Sequence, residues 1–317
     1  MNYSFFTCLP AKAGYQLFIL IMGANLKEVR ERIRSVKSTQ QITKAMKMVS
    51  AAKLRRATDA IVQMRPYADK LNDMLRNILS NIEGDASTSF GTERPLESAA
   101  VVVVTSNRGL CGAFNSNIIK SAVATIKEKY AEQRAAGKLT IVCIGKRGYD
   151  YFKKRYQDCT IVDDYVEIFS DLSFDNVAQV SQMLMDSFET KELDHITVCY
   201  GRFKNAAMQF PETYQWLPVQ KLESKGKSKS RADYIFEPNQ KELLEQLVPS
   251  ILQTTFQKFL LDTHASEHGA RMTAMDKATE NAEELVKDLK IAYNKARQEA
   301  ITRELSEIVG GAAALEG

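Results

Sequence analysis

His264, Glu267 and His268 stand in the order H-x-x-E-H. Histidines one helical turn apart can grip a zinc ion, with the glutamate acting as base on metal-bound water. Here the five residues lie on a charged helical stretch with no further histidine downstream. The favoured reading is a solvated helix face, with no metal. A second candidate is Ser106–Asn115, SNRGLCGAFN, which follows a strand-like run and opens a helix-like one. Gly109 and Gly112 could shape an anion-binding nest at that helix start. The segment lacks the G-K-[S/T] of a P-loop and the G-x-G-x-x-G of a dinucleotide fold. A tight structural or docking turn is the better expectation, and no cofactor is assigned. Gly145-Lys146-Arg147-Gly148 resembles a phosphate loop still less. With three histidines in all, no Ser/His/Asp or Cys/His set can be assembled, so no catalytic residue is named.

The elements that would hold these residues follow from pattern. Ala99–Thr105 (AAVVVVT), Leu139–Gly145 (LTIVCIG) and His195–Tyr200 (HITVCY) are buried-strand runs. The stretches 114–136 and 171–190 between them have helical length and composition, which indicates an α/β domain with a largely parallel sheet. Thr213–Gln220 is expected at a sheet edge, because Pro218 cannot donate to a ladder. Residues 83–98 have loop composition, and 221–232 (KLESKGKSKSRA) form a basic, solvated loop.

Flanking this domain, Ala24–Arg65 contains neither glycine nor proline. Its apolar residues come in blocks spaced 4 then 3: Val29, Ile33, Val36; Ile42, Met46, Val49; Ala57, Ile61, Met64. That is a coiled-coil seam with register shifts between blocks. Ser250–Val309 carries Gly269 as its single glycine, and Ala278, Ala282, Leu285, Leu289, Ala292 and Ala296 continue the same spacing. Two such helices predict a long antiparallel coiled coil of the chain's two ends, beside a central Rossmann-like α/β domain. The expected divisions are 22–82 and 234–317 for the two helices and 95–220 for the α/β domain.

The whole chain carries a formal net charge of +4, too small to argue for nucleic acid. Residues 24–60, however, hold ten Lys/Arg against Glu28, Glu31 and Asp59, a local surplus of seven. A solvated helix would carry acidic partners four residues apart along its length, but after Glu31 none appears until Asp59; a nucleic-acid helix would want aromatics or base-reading Asn/Gln, and this one has no aromatic. A protein-facing helix meeting an acidic surface fits best. The five cysteines (Cys8, Cys111, Cys143, Cys159, Cys199) form no C-x-x-C pair and are expected as reduced thiols in a cytosolic compartment. The apolar run Tyr15–Met22, at the end of the first 21 residues and reaching Met22, is too short to span a bilayer. Residues 1–21 are expected to be an upstream extension or mis-called start before Met22, with a signal peptide the weaker alternative.

Three long motifs carry a family resemblance. STQQITKAMKMVSAAKLRR (Ser38–Arg56), SNRGLCGAFN, and the pair Ser266–Asp276 with AYNKARQEAITRELSEI (Ala292–Ile308) resemble the signatures of the F-type ATP synthase gamma subunit of bacterial type. They occur in the right order and spacing across 22–317. Asn107 and Ala113 depart from the Asp and Gly usual at those places.

The resemblance implies a non-catalytic central rotor stalk: a coiled coil inside the alpha–beta hexamer, and an α/β domain on the ring of c subunits with epsilon alongside. Proton-driven rotation would drive the catalytic beta subunits through their states. It further implies that Met46, Lys47, Arg55 and Arg56 face acidic beta elements, and that Arg297, Gln298, Thr302 and Glu304 touch beta loops near the upper end. The Arg108–Cys111 turn would lie near the hexamer's base, and Lys225, Lys227, Lys229 and Arg231 near the c-ring and epsilon. The apolar tail Ile308–Leu315 would turn in a greasy bearing. Location would be peripheral, on the cytoplasmic face of the bacterial inner membrane. The rival readings are a coiled-coil adaptor or nucleic-acid-binding protein using the basic helix, and a nucleotide enzyme built on the α/β domain.

Overall fold

The computed structural model describes residues 26–80, 89–91, 94–219 and 240–316. The extension 1–21 and the basic loop 221–232 lie outside the described residues. The chain divides into two compact units, one of 1–45 with 276–317 and one of 46–275. The division falls inside each of the two long helices, α1 (Leu26–Ser80) and α6 (Gln240–Glu316). Pro66 and Pro249 lie within them, each removing one backbone donor without ending its helix.

In the larger unit the elements run β1 (Ala99–Val104), α2 (Phe114–Lys129), α3 (Ala131–Ala135), β2 (Leu139–Ile144), α4 (Lys146–Arg155), β3 (Thr160–Val162), α5 (Phe174–Glu189), β4 (His195–Phe203) and β5 (Gln209–Leu217). The helical stretch expected over 114–136 is broken at Tyr130, whose ring is buried and whose hydroxyl bonds Thr197 Oγ1 at 2.6 Å.

The strands form a five-stranded sheet in the order β3-β2-β1-β4-β5, parallel except for β5. Every residue of β1 is buried, because both sheet faces are covered. Alternation sorts side chains to the two faces. Ala99, Val101, Val103 and Cys199 meet α2 and α4 through Ile118, Ala122, Ile126 and Phe152. Ala100, Val102, Val104 and Val198 meet α5 through Val180 and Leu184, and α6 through Leu252, Phe256 and Leu260. The third layer is therefore supplied partly by a terminal helix, and Trp216 is wedged there with Nε1 donating to the Leu252 carbonyl at 3.3 Å. Ala57 and Ile61 of α1 pack on Leu261 and Ala265 of α6.

The smaller unit is built from the outer segments of both helices. Arg30 donates to Tyr293 Oη at 2.9 Å, and the hydroxyls of Thr43 and Thr279 lie 2.8 Å apart. The partner number falls as the first rises, so the segments are antiparallel.

The seam along α1 differs from the block pattern expected. An unbroken 4,3 row of buried or half-buried positions runs through Val29, Ile33, Val36, Gln40, Thr43, Lys47, Ser50, Leu54, Ala57, Ile61 and Met64, with half-buried neighbours such as Arg32, Met46, Ala51 and Ala60 flanking it. Ile42 and Val49 are 57% and 58% exposed. No register shift occurs. The inward row instead accepts polar residues, and the Thr43–Thr279 bond shows how one of them is satisfied.

Candidate functional site

In doubly wound sheets ligands bind beyond the carboxyl ends of the strands, where the order of connections reverses. Here that point lies between β1 and β4, and α6 occupies it. Gly201 donates its N–H to Thr263 Oγ1 at 3.2 Å and accepts from Ser266 Oγ at 3.0 Å. A Cβ on Gly201 would sit 2.7 Å from the Phe114 ring, so glycine permits this approach.

The SNRGLCGAFN segment leaves β1 at the same edge. Ser106 N donates to Asn115 Oδ1 at 3.0 Å, Ser106 Oγ donates to the Arg108 carbonyl at 2.6 Å, and Asn115 Nδ2 reaches Cys111 Sγ at 3.1 Å. Cys111 is thereby buried inside the turn, while Arg108 and Leu110 are exposed. Leu110 holds φ at +63°, a conformation uncommon for a branched residue, and its side chain is 64% exposed. Sequence reasoning passed over Leu110; its only signal was its place within the motif.

The motif Gly145-Lys-Arg-Gly148 is bolted to this turn. Lys146 N donates to Asn107 Oδ1 at 3.1 Å, Arg147 N to the Ser106 carbonyl at 3.2 Å, and Gly148 N to Thr105 Oγ1 at 2.8 Å. The first three N–H groups of α4 are thus consumed internally. Those groups are what a phosphate would need.

The H-x-x-E-H residues are not a solvated face, which corrects the reading from sequence. Glu267 and His268 are buried, and His264 is half-buried with its ring stacked on Phe169 at 6.0 Å. Arg271 pairs with Glu267 Oε1 at 2.7 Å and donates to the Arg108 carbonyl at 3.1 Å and the Gly109 carbonyl at 3.3 Å. It also lies 3.3 Å from His268 Nδ1. Arginine can only donate, so His268 Nδ1 accepts and its Nε2 carries the proton. That Nε2 then donates to His264 Nε2 at 3.1 Å. Burial lowers both rings, to about 4 for His264 and about 3 for His268, with Lys53 and Arg271 adding repulsion. Burial raises Glu267 and the Arg271 charge opposes it. Among the described residues, no three His, Cys, Asp or Glu side chains are grouped to hold a metal ion. The network instead ties α6 to the β1 turn. Sequence reasoning missed Arg271; its cue was a cation four residues beyond Glu267.

The other residues singled out from sequence are dispersed. Met46 and Lys47 are half-buried on α1, and Arg55 and Arg56 are exposed. Arg297, Gln298, Thr302 and Glu304 are exposed, with Thr302 Oγ1 bonded back to the Gln298 carbonyl at 2.9 Å. Lys225, Lys227, Lys229 and Arg231 lie outside the described residues. From Ile301 to Leu315 every residue of α6 is exposed, including Ile308 at 68%, Val309 at 67% and Leu315 at 90%. Exposed apolar residues gathered at one helix end are the kind of surface used for interaction. The buried Cys143 and Cys199 thiols are pushed up to about 12 and about 11 by burial, which makes them inert.

These features define a class: an α/β protein with long terminal helices, whose ligand crevice is filled by its own helix and whose C-terminal helical end is exposed and apolar. The sequence profile of the family described as ATP synthase matches residues 25–315. An ATP synthase gamma chain from Cytophaga hutchinsonii is 52% identical over 293 residues, covering 92% of this chain and 99% of that one. One from Flavobacterium psychrophilum is 51% identical over 294 residues, covering 93% and 100%. The chain belongs to the ATP synthase gamma-chain family. In fold it is similar to a chain of the Euglena gracilis mitochondrial ATP synthase (OSCP/F1/c-ring), with TM-score 0.60 and 23% identity over 92% of this chain and 94% of that one. These relatives give no support to the nucleic-acid or adaptor readings of the basic helix.

Proposed function

We propose that this chain is the central rotor stalk of a proton-translocating F-type ATP synthase, turning with the c-ring and driving the catalytic beta subunits through their states. The observation that carries the reading is family membership over residues 25–315, joined to an α6 end that no described residue covers. In this reading the chain itself performs no catalysis; alpha and beta surround the coiled coil, and epsilon and the c-ring contact the α/β domain. Among the described residues no helix is long and apolar enough to cross a membrane. Attachment to the cytoplasmic face of a bacterial inner membrane would come through the complex.

A rotor needs torsional stiffness and contacts that renew. The 4,3 seams supply the first. For the second, Lys47, Arg55 and Arg56 on α1, with Met46 beside them, would meet acidic beta elements. Arg297, Gln298, Thr302 and Glu304 would meet beta loops near the upper end. The Arg108–Cys111 turn would lie near the hexamer's base, with Arg108 and Leu110 as its reachable side chains, since Cys111 is buried. Lys225, Lys227, Lys229 and Arg231 would lie near the c-ring and epsilon. Exposed ion pairs contribute about 0–1 kcal/mol each, weak enough to be broken and remade every turn. The exposed Ile308, Val309 and Leu315 would run in an apolar bearing.

The test is co-expression with alpha and beta subunits. Isolation of an ATPase-active hexamer containing this chain is expected; a hexamer that forms and works without it would overturn the reading.

A further inference from the structure

The helix α4, Lys146–Arg155, holds five basic residues against Asp150, and all five are exposed. Among the described residues none of the five makes an ion pair with a carboxylate. Lys153, Lys154 and Arg155 fall in the last turn, where the helix dipole favours cations. Lys153 and Arg155 also lie over the rings of Tyr149 and Tyr151 at 4.9 and 4.3 Å. Local physics accounts for these three. It does not account for Lys146 and Arg147, which sit in the first turn, where the same dipole disfavours positive charge and no acidic residue offsets it.

Their position supplies the reason. Lys146 N and Arg147 N are bonded to Asn107 and Ser106, so the start of α4 is fixed to the SNRGLCGAFN turn. A Cβ on Gly109 would lie 2.8 Å from Arg147 NH2, so the guanidinium rests against the turn itself. Arg108, the third cation here, is exposed, and beside it stands the exposed Leu110 with φ at +63°. Arg271, by contrast, is neutralised by Glu267. The result is an apolar tip with three exposed cations around it, none in an ion pair with a described carboxylate, although Asn107, on the same turn, holds Glu167 at 3.2 Å.

We propose that Arg108, Lys146 and Arg147 form a cationic rim around Leu110 that docks a carboxylate-bearing surface of a partner subunit, so that two turns of the sheet, not one, engage it. A phosphate ligand fits poorly. The leading N–H groups of α4 are already bonded to Asn107, Ser106 and Thr105, so that helix start has no free backbone donor for an anion. A protein surface with clustered Asp or Glu and an apolar spot for Leu110 matches both features. The inference rests on the rotor reading above and adds Lys146 and Arg147 to it.

The experiment treats the assembled complex with a carbodiimide, which condenses a lysine amine with a contacting carboxylate into an amide while the carbodiimide takes up the water as urea. Mass spectrometry of the linked peptides is expected to show Lys146 joined to an Asp or Glu of a partner subunit. The link should fall with added salt, as rim contacts do. Lys146→Gln with Arg147→Gln is expected to leave assembly intact and lower ATP-driven proton pumping about fivefold more than ATPase activity, the size of about 1 kcal/mol of lost contact. If the unaltered chain assembles and couples, but Lys146 links to no partner or the double variant pumps normally, the rim is overturned and the rotor reading survives. If the link forms to a nucleotide or phosphate carrier instead, the protein-partner assignment is overturned. Failure of the unaltered chain to assemble at all would count against the rotor reading.

Discussion

The Arg271 guanidinium, on α6, donates to the main-chain carbonyl of Arg108 at 3.1 Å while pairing with Glu267 at 2.7 Å. One side chain therefore ties the C-terminal helix to the turn after β1 and neutralises a buried carboxylate. Replacing it with Arg271→Gln leaves Glu267 buried without its partner and is expected to cost about 3–5 kcal/mol. Urea unfolding of the chain measures this. Adding Glu267→Gln should recover part of the loss; no recovery would mean the pair is not the source.

The two imidazoles give a pH dependence whose sign is set by their lowered values, about 4 for His264 and about 3 for His268. The unfolded chain, with ordinary values near 6.5, binds more protons over that interval. Stability is present above pH 6.5 and falls as pH drops toward 4 and 3. Glu267 is raised, so its own contribution runs the other way, largest at low pH and lost as pH rises through its folded value. Glu267 opposes them only above its ordinary value near 4.5, and two histidines outweigh one carboxyl, so the net slope up to pH 6.5 keeps the histidines' sign. His264→Gln with His268→Gln should flatten the unfolding midpoint across that range; an unchanged slope would refute the account.

Gly145 has φ of +98°, and a Cβ there would lie 2.0 Å from the Thr105 carbonyl oxygen. Strain and clash act together in Gly145→Ala, with an expected loss of at least about 2 kcal/mol. A thermal melt at wild-type temperature would contradict the geometry.

The corrected seam of α1 makes opposite claims about two isoleucines. Ile61 is 5% exposed and Ile42 is 57% exposed. Ile61→Ala should cost about 2–5 kcal/mol and Ile42→Thr within about 0.5 kcal/mol in the isolated chain. Equal costs, read from denaturation midpoints, would restore the block-wise seam.

Arg297 and Gln298 are exposed on α6. Arg297→Ala and Gln298→Ala should leave the fold within about 0.5 kcal/mol of wild type and still lower ATP synthesis in assembled membranes. Unchanged synthesis would remove those two residues from the proposed beta contacts.

The parallel sheet was legible because runs such as AAVVVV and LTIVCI have no reason to exist unless both faces are covered. The long helices were legible from missing glycine and the 4,3 spacing. The α1 register was not, because a rule that looks for apolar residues places Ile42 and Val49 inward. The neighbours in fact bury Thr43 and Ser50, and polarity is no obstacle once a hydroxyl finds a partner such as Thr279.

The sequence by itself determined the element types, the family and the uneven charge, since periodicity, breakers and motifs are local properties of the chain. Tertiary structure alone decided that H-x-x-E-H is a buried tie and that α6 fills the crevice beyond β1 and β4. It also decided that Lys146 and Arg147 stand beside Arg108. The physical reason is that burial and electrostatic pairing depend on residues distant in the chain. Arg271 lies 163 positions from Arg108, and only folding brings its guanidinium to that carbonyl.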